Sequence, residues 1–327
     1  MLLLNRSELA QVLTMPDAIA AVADGFREHQ RGRSLTPLRM HVEVEPVEGV
    51  YLMMPSYLEK NALFGTKVLS VYPRNAEQQK PTISSLYLLN NAADGTFLAL
   101  MDGYFLTGIR TGAASAVAAG QLARADACIH GIIGTGGQAL YQAEAIAAVR
   151  SIRELLVYDR NEPAARAFAE TATQKLGVPV AVLGSAQAVA AQAEILTTVT
   201  TSSTPVICRA DVRPGCHVNA VGAFKPTMQE IGSDLLTDAL VVVDTYQGCL
   251  HEAGDLVVPI KAGAYRREDL HAELGEILLG TKSGRTSDAQ ITLFKSVGIA
   301  FEDLVVANLA YQRAQERQMG TRVCLTD

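Results

Sequence analysis

The sequence predicts an α/β fold in which a doubly wound parallel sheet follows a β-rich N-terminal region. Residues 35–101 read as extended segments joined by turns, whereas strands and helices alternate from residue 128 onward. Such alternation is typical of a parallel sheet with helices on both faces. The 327 residues allow two ordinary domains. We expect residues 1–115 together with 293–327 to form one domain and residues 116–292 the other.

The N-terminal region is expected to begin with a helix and to continue as strands. Thr14 as cap and Asp17 near the positive end of the helix dipole indicate the helix start, and Gly32 marks its end. An Asp-Gly turn at 94–95 predicts a hairpin, and a helix of small residues is predicted at 112–123. The strands are predicted near residues 38–44, 50–54, 63–72, 84–89 and 97–101.

The first strand of the second domain leads into a glycine turn with the spacing G-x-G-x-x-A, at residues 134–139. Gly134 permits a tight turn, Gly136 lets the backbone approach a pyrophosphate, and Ala139 lets the following helix pack closely on the strand. The free N–H groups at the start of that helix would bind the anion. Small residues that serve only helix packing are the alternative explanation.

A carboxylate follows the next strand, 154–158, about 20 residues beyond the glycine turn, where an acid accepts hydrogen bonds from an adenosine ribose. This residue, Asp159, completes the prediction of a nicotinamide-nucleotide site in a Rossmann domain. Asp159 favours NADH, because a 2′-phosphate would face a carboxylate. The adjoining Arg160 could pair with that phosphate, so NADPH stays open as a second coenzyme.

The remainder of the chain continues the alternation. A last helix, from Leu293 to about Arg317, lies beyond this pattern and is expected to return to the N-terminal domain. Between them, helices are predicted at 162–176 and 186–192, and strands at 178–182, 194–199, 217–221 and 240–243.

Composition excludes several classes of function. The net charge is −6 and no run of Lys or Arg occurs, which argues against nucleic acid and an anionic membrane as partners. The five scattered cysteines, never spaced C-x-x-C, suit free thiols in a reducing cytoplasm. The apolar start at residues 1–4 is too short for a membrane span. Cys249, His251 and Glu252 lack a second cluster that would complete a metal site, so no metal is expected.

Three cations in the first domain lie among apolar or small residues: Arg39, Lys67 and Arg110. A cation is costly to bury unless an anion pairs with it. Because few acids are near them in the sequence, they predict a pocket for a substrate carboxylate, although each could instead face outward. Arg suits bidentate carboxylate binding, whereas Lys67 could also exchange a proton if it is desolvated.

Seven segments of the chain resemble the ornithine cyclodeaminase/μ-crystallin family, in the same order and over nearly the whole length. The resemblance implies a homodimer whose β-rich N-terminal domain carries the substrate contacts and the dimer interface. It also implies a central Rossmann domain and a C-terminal helix that returns to the first domain. The segments are Gly65–Val68, Lys80–Ser85, Thr107–Ser115, Gly134–Ala139, Val157–Asn161, Val218–Ala223 and Thr292–Ala300.

Carried over by position, Arg39, Lys67 and Arg110 resemble the substrate-carboxylate cluster, with Lys67 and Arg110 as catalytic candidates. Thr200 aligns loosely, because other threonines crowd around it. With the glycine turn included, the expected coenzyme contacts are Thr82, Arg110, Gly134, Gly136, Gly137, Gln138, Asp159, Arg160, Thr200, Val221 and Ser296.

One position departs from the cyclodeaminase pattern. Phe224 stands where ornithine cyclodeaminases carry an aspartate that handles the substrate amine, and Glu230 is expected to belong to the next helix instead. Without that acid, cyclodeamination loses its catalyst, whereas reduction of a preformed cyclic imine needs only an anchored, protonated substrate and a hydride. Phe224 would pack against the uncharged ring. The pattern therefore resembles the ketimine and Δ1-pyrroline-2-carboxylate reductase branch.

The expected reaction is reduction of Δ1-pyrroline-2-carboxylate to L-proline with NADH or NADPH, with Δ1-piperideine-2-carboxylate, which would give L-pipecolate, as a second substrate. Ornithine cyclodeaminase, alanine dehydrogenase and other amino-acid dehydrogenase activities remain alternatives. A non-catalytic NAD(P)H-binding protein, like the crystallins of this family, is an alternative of another class.

Overall fold

The computed structural model describes residues 1–324, apart from the side chains at positions 61 and 76. Two compact units are present: Met1–Arg110 with the chain from Ile299 onward, and Thr111–Gly298. These divisions differ by a few residues from the boundaries at 115 and 292. One unit holds a largely antiparallel sheet and the other a parallel sheet, which confirms the predicted fold class.

The first 110 residues supply most of the antiparallel sheet. Strands β2–β7 pair antiparallel with their neighbours, and β1 joins β7 in parallel. Thr14 caps α2 by accepting from the Asp17 N–H, as predicted. The elements are β1 Leu2–Leu4, α1 Arg6–Val12, α2 Met15–Gln30, β2 Ser34–Leu35, β3 Met40–Val44, β4 Gly49–Leu58, β5 Leu63–Val71, β6 Ile83–Asn91, β7 Phe97–Asp102 and α3 Gly103–Leu122, the last of which continues into the second unit.

The second unit is a doubly wound parallel sheet. Its elements are β8 Ile129–Ile133, α4 Ala139–Val149, β9 Glu154–Tyr158, α5 Glu162–Leu176, β10 Val180–Val182, α6 Ala186–Gln192, β11 Ile195–Thr198, β12 His217–Ala220, α7 Ser233–Asp238, β13 Leu240–Val243, α8 Tyr246–Glu252, α9 Gly254–Lys261, β14 Ala272–Glu273, α10 Leu274–Leu279 and β15 Thr292–Lys295. The spatial order is β10-β9-β8-β11-β12-β15-β13-β14. The winding reverses between β8 and β11, and ligands bind such sheets at the carboxyl ends of the strands beside this reversal.

Helix α11 (Ala300–Glu316) and strand β16 (Thr321–Arg322) complete the first unit. Helix α11 packs on α2 and against β4 and β5. The Phe301 ring meets Phe26 edge-on, with 5.1 Å between ring centroids. This packing buries one face of the antiparallel sheet, including Leu52 and Met54 of β4.

Three local predictions need correction. Helix α3 begins at Gly103 rather than Gly112, so Arg110 lies on it. The predicted helix from Leu293 is wrong at its start, because Thr292–Lys295 forms β15 between β12 and β13, and the helix begins only at Ala300. A short apolar run is compatible with either structure until its neighbours are known. Arg39 precedes β3 rather than lying within it.

Candidate functional site

The glycine turn after β8 has the conformation and the space that its spacing predicts. Gly134 has a φ of +96°, a left-handed value that favours glycine, and a Cβ there would lie 2.9 Å from the Val199 carbonyl oxygen. Gly136 and Gly137 are exposed, and a Cβ at Gly136 would project into open space. At the start of α4, Gln138 Oε1 is buried without a hydrogen-bond partner among residues 1–324.

A cavity of about 440 Å³ lies beside the glycine turn, lined by residues 133–136, 158–161, 164, 199–202 and 206. Asp159 is held in place at its edge. Its Oδ2 accepts from the N–H of Thr135 at 2.7 Å and from the Thr135 hydroxyl at 3.1 Å, and its Oδ1 accepts from the N–H of Asn161 at 2.9 Å.

A second depression of about 390 Å³ includes Asp159 together with Arg160 and Arg166. The open glycine turn, the oriented carboxylate and the unpartnered amide oxygen of Gln138 together fit a dinucleotide. When bound, such a coenzyme supplies hydride chemistry.

The segments after β11 and β12 carry Thr200 and Val221, and one buried acid ties them together. The Glu230 carboxylate accepts from the Thr200 N–H at 2.6 Å and from the Thr200 hydroxyl at 2.9 Å. It also accepts from the N–H groups of Gly222, the residue after Val221, at 2.8 Å and of Ala223 at 3.0 Å.

The expectation that Glu230 belongs to the next helix is wrong. It lies in the segment before α7, and Asp255 Oδ1 accepts from the backbone N–H groups of Glu230 at 2.6 Å and Ile231 at 2.9 Å. Asp255 Oδ2 accepts from Lys295 Nζ at 2.7 Å, and both side chains are fully buried. Burial raises the pKa of Glu230, and the nearby Lys295 acts against this rise.

Ser296, directly after β15, is fixed by a second buried acid. Asp244 Oδ2 accepts from the Ser296 hydroxyl at 2.8 Å and from the N–H groups of Val297 at 2.7 Å and Gly298 at 2.9 Å. The Cys249 thiol donates to Asp244 Oδ1 at 3.2 Å. Within the described part of the chain, no group of three His, Cys, Asp or Glu side chains could hold a metal ion.

Lys67 and Arg110 form a buried cluster with two acids in the first unit. Lys67 Nζ, on β5, lies 3.0 and 2.8 Å from the two carboxylate oxygens of Asp303. Arg110 Nη1, on α3, lies 2.6 Å from Glu302 Oε2, and its Nε lies 3.5 Å from Asp303 Oδ1. Burial lowers the pKa of Lys67 to about 8; Asp303 opposes this shift, whereas Arg110 and Arg39 add to it. All three predicted cations therefore belong to one electrostatic cluster.

Few acids are near these cations in the sequence, but the fold brings two distant ones to Lys67 and Arg110, which corrects the inference that the substrate carboxylate would be their counter-ion. Glu302 and Asp303 come from the first turn of α11, far along the chain, and both are fully buried. Their carboxylates offset the cost of burying Lys67 and Arg110. Two adjacent acids inside the otherwise apolar run at residues 300–307 were the signal in the sequence, since acids are rarely buried unless they are paired.

Thr82 and Phe224 lie at less enclosed positions. Thr82 is exposed just before β6, and its carbonyl accepts from the Tyr72 N–H at 2.8 Å. Phe224 is half-buried against the apolar core of the second unit, with Lys225 Nζ 5.9 Å from its ring centroid. Their contacts with coenzyme and substrate stay predictions.

The fold and the nucleotide cavity define a protein of the dinucleotide-binding class, and comparison with known proteins narrows that class. The chain belongs to the ornithine cyclodeaminase/mu-crystallin family, whose model matches residues 1–318. It is 41% identical over 324 residues to a Δ1-pyrroline-2-carboxylate reductase of Bacillus cereus, with 99% of each chain covered.

Two solved structures have the same fold over their whole length. The Δ1-pyrroline-2-carboxylate reductase of Thermococcus litoralis, in complex with NADH and L-proline, is 43% identical with a TM-score of 0.96, covering 99% of this chain and 100% of that one. An archaeal alanine dehydrogenase dimer with bound NAD is 34% identical with a TM-score of 0.94, covering 100% and 99%. Across residues 1–324, no helix has the length and apolar character needed to cross a membrane.

Proposed function

We propose that this protein reduces Δ1-pyrroline-2-carboxylate to L-proline with NADH, and Δ1-piperideine-2-carboxylate to L-pipecolate. The observation that carries the proposal is the similarity over the whole chain to two Δ1-pyrroline-2-carboxylate reductases, one of them bound to NADH and L-proline. The cation cluster supports it. Arg39, Lys67 and Arg110 carry three positive charges against the two negative charges of Glu302 and Asp303, and the remaining charge suits the single carboxylate of the substrate.

The chain's own residues would bind and protonate the substrate. Arg39 and Arg110 bind the carboxylate, and the ion pair with Glu302 orients the Arg110 guanidinium. Lys67 is the proton donor to the imine nitrogen, because its pKa of about 8, lowered by burial, lets its ammonium exchange a proton near neutral pH. Asp303 holds that ammonium in place.

NADH is the preferred coenzyme in this proposal. Asp159 is already held by Thr135 and Asn161, so a 2′-phosphate would meet a fixed carboxylate. Arg160 and Arg166 line the same depression as Asp159. They could pair with a 2′-phosphate, so NADPH is expected to work as a coenzyme, but less well than NADH. A preference for NADPH above about tenfold in kcat/KM, roughly 1.4 kcal/mol, would contradict this assignment.

The competing functions are separated by one substrate panel. Purified protein is assayed with NADH or NADPH against Δ1-pyrroline-2-carboxylate, Δ1-piperideine-2-carboxylate and pyruvate with ammonia, and with NAD⁺ against L-ornithine. We expect the highest kcat/KM with the pyrroline substrate. A higher value with pyruvate and ammonia would assign alanine dehydrogenase, as in the archaeal relative. Coenzyme binding without any turnover would assign a non-catalytic binding protein.

Phe224 separates the reductase from the cyclodeaminase. We expect Phe224→Asp to lower kcat/KM for the pyrroline substrate by about tenfold, because a carboxylate would replace the half-buried ring near the substrate's own negative charge. Tyr246→Phe, which changes an aromatic side chain remote from Phe224 in sequence, serves as the control. Ammonia release from L-ornithine by the wild type, at a rate comparable to imine reduction, would reverse the assignment.

A homodimer in the cytoplasm completes the proposal. The sheet face opposite α11 exposes Met40, Val42, Tyr51, Phe64 and Leu86, and we infer that a partner subunit covers these apolar side chains. The five free cysteines fit a reducing compartment. We expect Tyr51→Glu combined with Leu86→Glu to yield monomers in sedimentation velocity, while the wild type sediments as a dimer.

A further inference from the structure

The Glu230 side chain makes hydrogen bonds to the segments that follow two neighbouring strands, β11 and β12. Its carboxylate accepts from two groups of Thr200, after β11, and from the backbone N–H groups of Gly222 and Ala223, after β12. The side chain is fully buried. Four donor groups point at its two oxygens, which favours the ionised form despite burial. Because hydrogen bonds to an ionised group are stronger than neutral ones, this acid fixes the spacing between the two segments.

The surrounding residues leave little freedom for any other arrangement. A Cβ at Gly222 would collide with the backbone N and O of Thr200 and with the Glu230 carboxylate. The backbone of Glu230 is itself held by Asp255, which pairs with the buried Lys295. The two segments and Glu230 are therefore held rigidly with respect to one another at the carboxyl ends of β11 and β12.

The place of these two segments in the sheet indicates which half of the coenzyme they contact. Asp159 follows β9, on one side of the winding reversal, where the adenosine ribose is expected. Thr200 and Gly222 follow β11 and β12, on the other side. Because a dinucleotide binds across such a reversal, the half of the coenzyme that carries the reacting ring belongs over β11 and β12.

We propose that Glu230 is a positioning residue for the nicotinamide half of the coenzyme, acting through the backbone of residues 200–202 and 221–223. The inference rests on the proposed function only in taking NADH as the ligand. Glu230 acts on the coenzyme through both segments. Of these, residues 200–202 also line the cavity beside Asp159, whereas residues 221–223 are not part of its lining, so we expect the effect of Glu230 to be larger on the nicotinamide half.

The same geometry assigns a role to the Thr200 hydroxyl. That hydroxyl donates its proton to Glu230 at 2.9 Å and accepts from the Ser202 N–H at 3.2 Å. With its proton committed, the hydroxyl is left able to accept a hydrogen bond from a ligand N–H but not to donate one.

Glu230→Gln tests the proposal with little change of shape. The glutamine side chain keeps one acceptor oxygen. Its NH₂ group would face N–H donors, either that of Thr200 or those of Gly222 and Ala223, and hydrogen bonds on that side would be lost. We expect the Kd for NADH, measured by its fluorescence, to rise by about tenfold, since hydrogen bonds to a charged acceptor are lost. The Kd for adenosine monophosphate, measured by calorimetry, should change less than about twofold, because of the two segments only residues 200–202 line the cavity beside Asp159.

Glu194→Gln is the matched control. Glu194 also accepts two backbone N–H bonds, from Cys128 and Ile129, but at the amino end of β8, away from the ligand-binding edge. We expect this variant to lose thermal stability while both Kd values stay within about twofold of the wild type. If Glu230→Gln fails to fold, Glu230→Asp, which keeps the charge but shortens the reach, is measured in the same way.

The outcomes separate the two proposals. Loss of NADH affinity with unchanged affinity for adenosine monophosphate supports the role of Glu230, whatever substrate the enzyme reduces. Equal loss for both ligands, or no loss for either, overturns it and leaves Glu230 a stabilising residue only. Absence of imine turnover by a wild-type protein that binds NADH would overturn the proposed function instead.

Discussion

Two lysines in this protein are both buried and both paired with an aspartate, yet their pKa values shift in opposite directions. Lys67 in the antiparallel unit and Lys295 in the parallel unit are both fully buried. Each points its ammonium at one aspartate carboxylate, Asp303 at 2.8 Å and Asp255 at 2.7 Å. The pKa of Lys67 is nevertheless lowered to about 8, whereas the pKa of Lys295 is raised above its ordinary value.

The difference comes from the next neighbours. Burial lowers the pKa of both lysines and the paired aspartate raises it. Around Lys67 the further charges are the guanidinium groups of Arg110 and Arg39, which disfavour a third cation. Around Lys295 the further charge is the carboxylate of Glu230. The two arginines thus favour loss of the Lys67 proton, whereas the Glu230 carboxylate favours the charged form of Lys295.

The largest expected effect tests the structural half of this comparison. Lys295→Met would leave Asp255 buried without its counter-ion, and breaking such a pair typically costs about 3–5 kcal/mol of stability. Urea unfolding followed by circular dichroism measures the change. Lys175→Met, at an exposed ion pair with Glu144, is the control and should cost less than about 1 kcal/mol. A loss below about 1 kcal/mol for Lys295→Met would contradict the structural role.

The next effect tests the chemical half. We expect Lys67→Ala to lower kcat/KM for the pyrroline substrate by at least about a hundredfold, the range for losing a positioned proton donor. The Kd for NADH should stay within about twofold, because the glycine turn, Asp159 and Thr200 all lie in the other unit. Lys60→Ala, at an exposed pair with Asp24 in the same unit as Lys67, should leave both quantities unchanged. A loss below about tenfold in kcat/KM would remove Lys67 from the chemistry.

Much of the fold could be predicted because its signals are local. Helix α5 has the predicted bounds, since Asn161 caps its start and Gly177, in the left-handed conformation, ends it. The identity of β15 could not be read from Thr292–Lys295 alone, because only pairing with β12 and β13 makes this apolar run a strand. Helix α1, capped by Asn5 and Glu8, was missed although its capping signal is local.

The site divides in the same way. The glycine turn and Asp159 are close in sequence, so their spacing alone predicts a nucleotide site. The partners of the catalytic candidates are distant, with a separation of 236 residues between Lys67 and Asp303 and of 192 between Arg110 and Glu302. Their pairing is a property of the packed fold. Lys67 and Arg110 could be singled out as cations among apolar and small residues, and the family resemblance agreed, but their pairing with Asp303 and Glu302 emerged only from the structure.

The pH dependence of turnover sharpens the comparison further. If Lys67 must carry a proton, kcat/KM falls above pH about 8, by about tenfold per pH unit. Asp303 raises the pKa of Lys67, so Asp303→Asn should move this fall to lower pH. The substrate has the same pKa in assays of the wild type and of Asp303→Asn. A shift between the two pH profiles is therefore caused by a group of the protein. Profiles that coincide would show that Lys67 does not control the fall.

The smallest effect concerns two buried histidines whose side-chain hydrogen-bond partners within residues 1–324 are hydroxyl and amide groups. His130 and His217 are fully buried, and their ring nitrogens contact the hydroxyls of Thr197 and Thr292, both at 2.9 Å. Burial lowers the pKa of each histidine to about 3. For His217 the side chain of Asn219 opposes this shift, and nearby arginines add to it.

Below the ordinary histidine pKa of about 6.5 the unfolded chain therefore binds protons that the folded protein does not, so stability is lost as pH falls from about 7 toward about 3. Between pH 7 and pH 6 each histidine should contribute a loss of roughly 0.7 kcal/mol, or about 1.4 kcal/mol together. Urea unfolding at the two pH values measures it. His217→Gln should remove about half of the pH-dependent loss, whereas His251→Gln, at an exposed position, should leave it unchanged. An equal loss in both variants would show that other groups dominate the acid sensitivity of the fold.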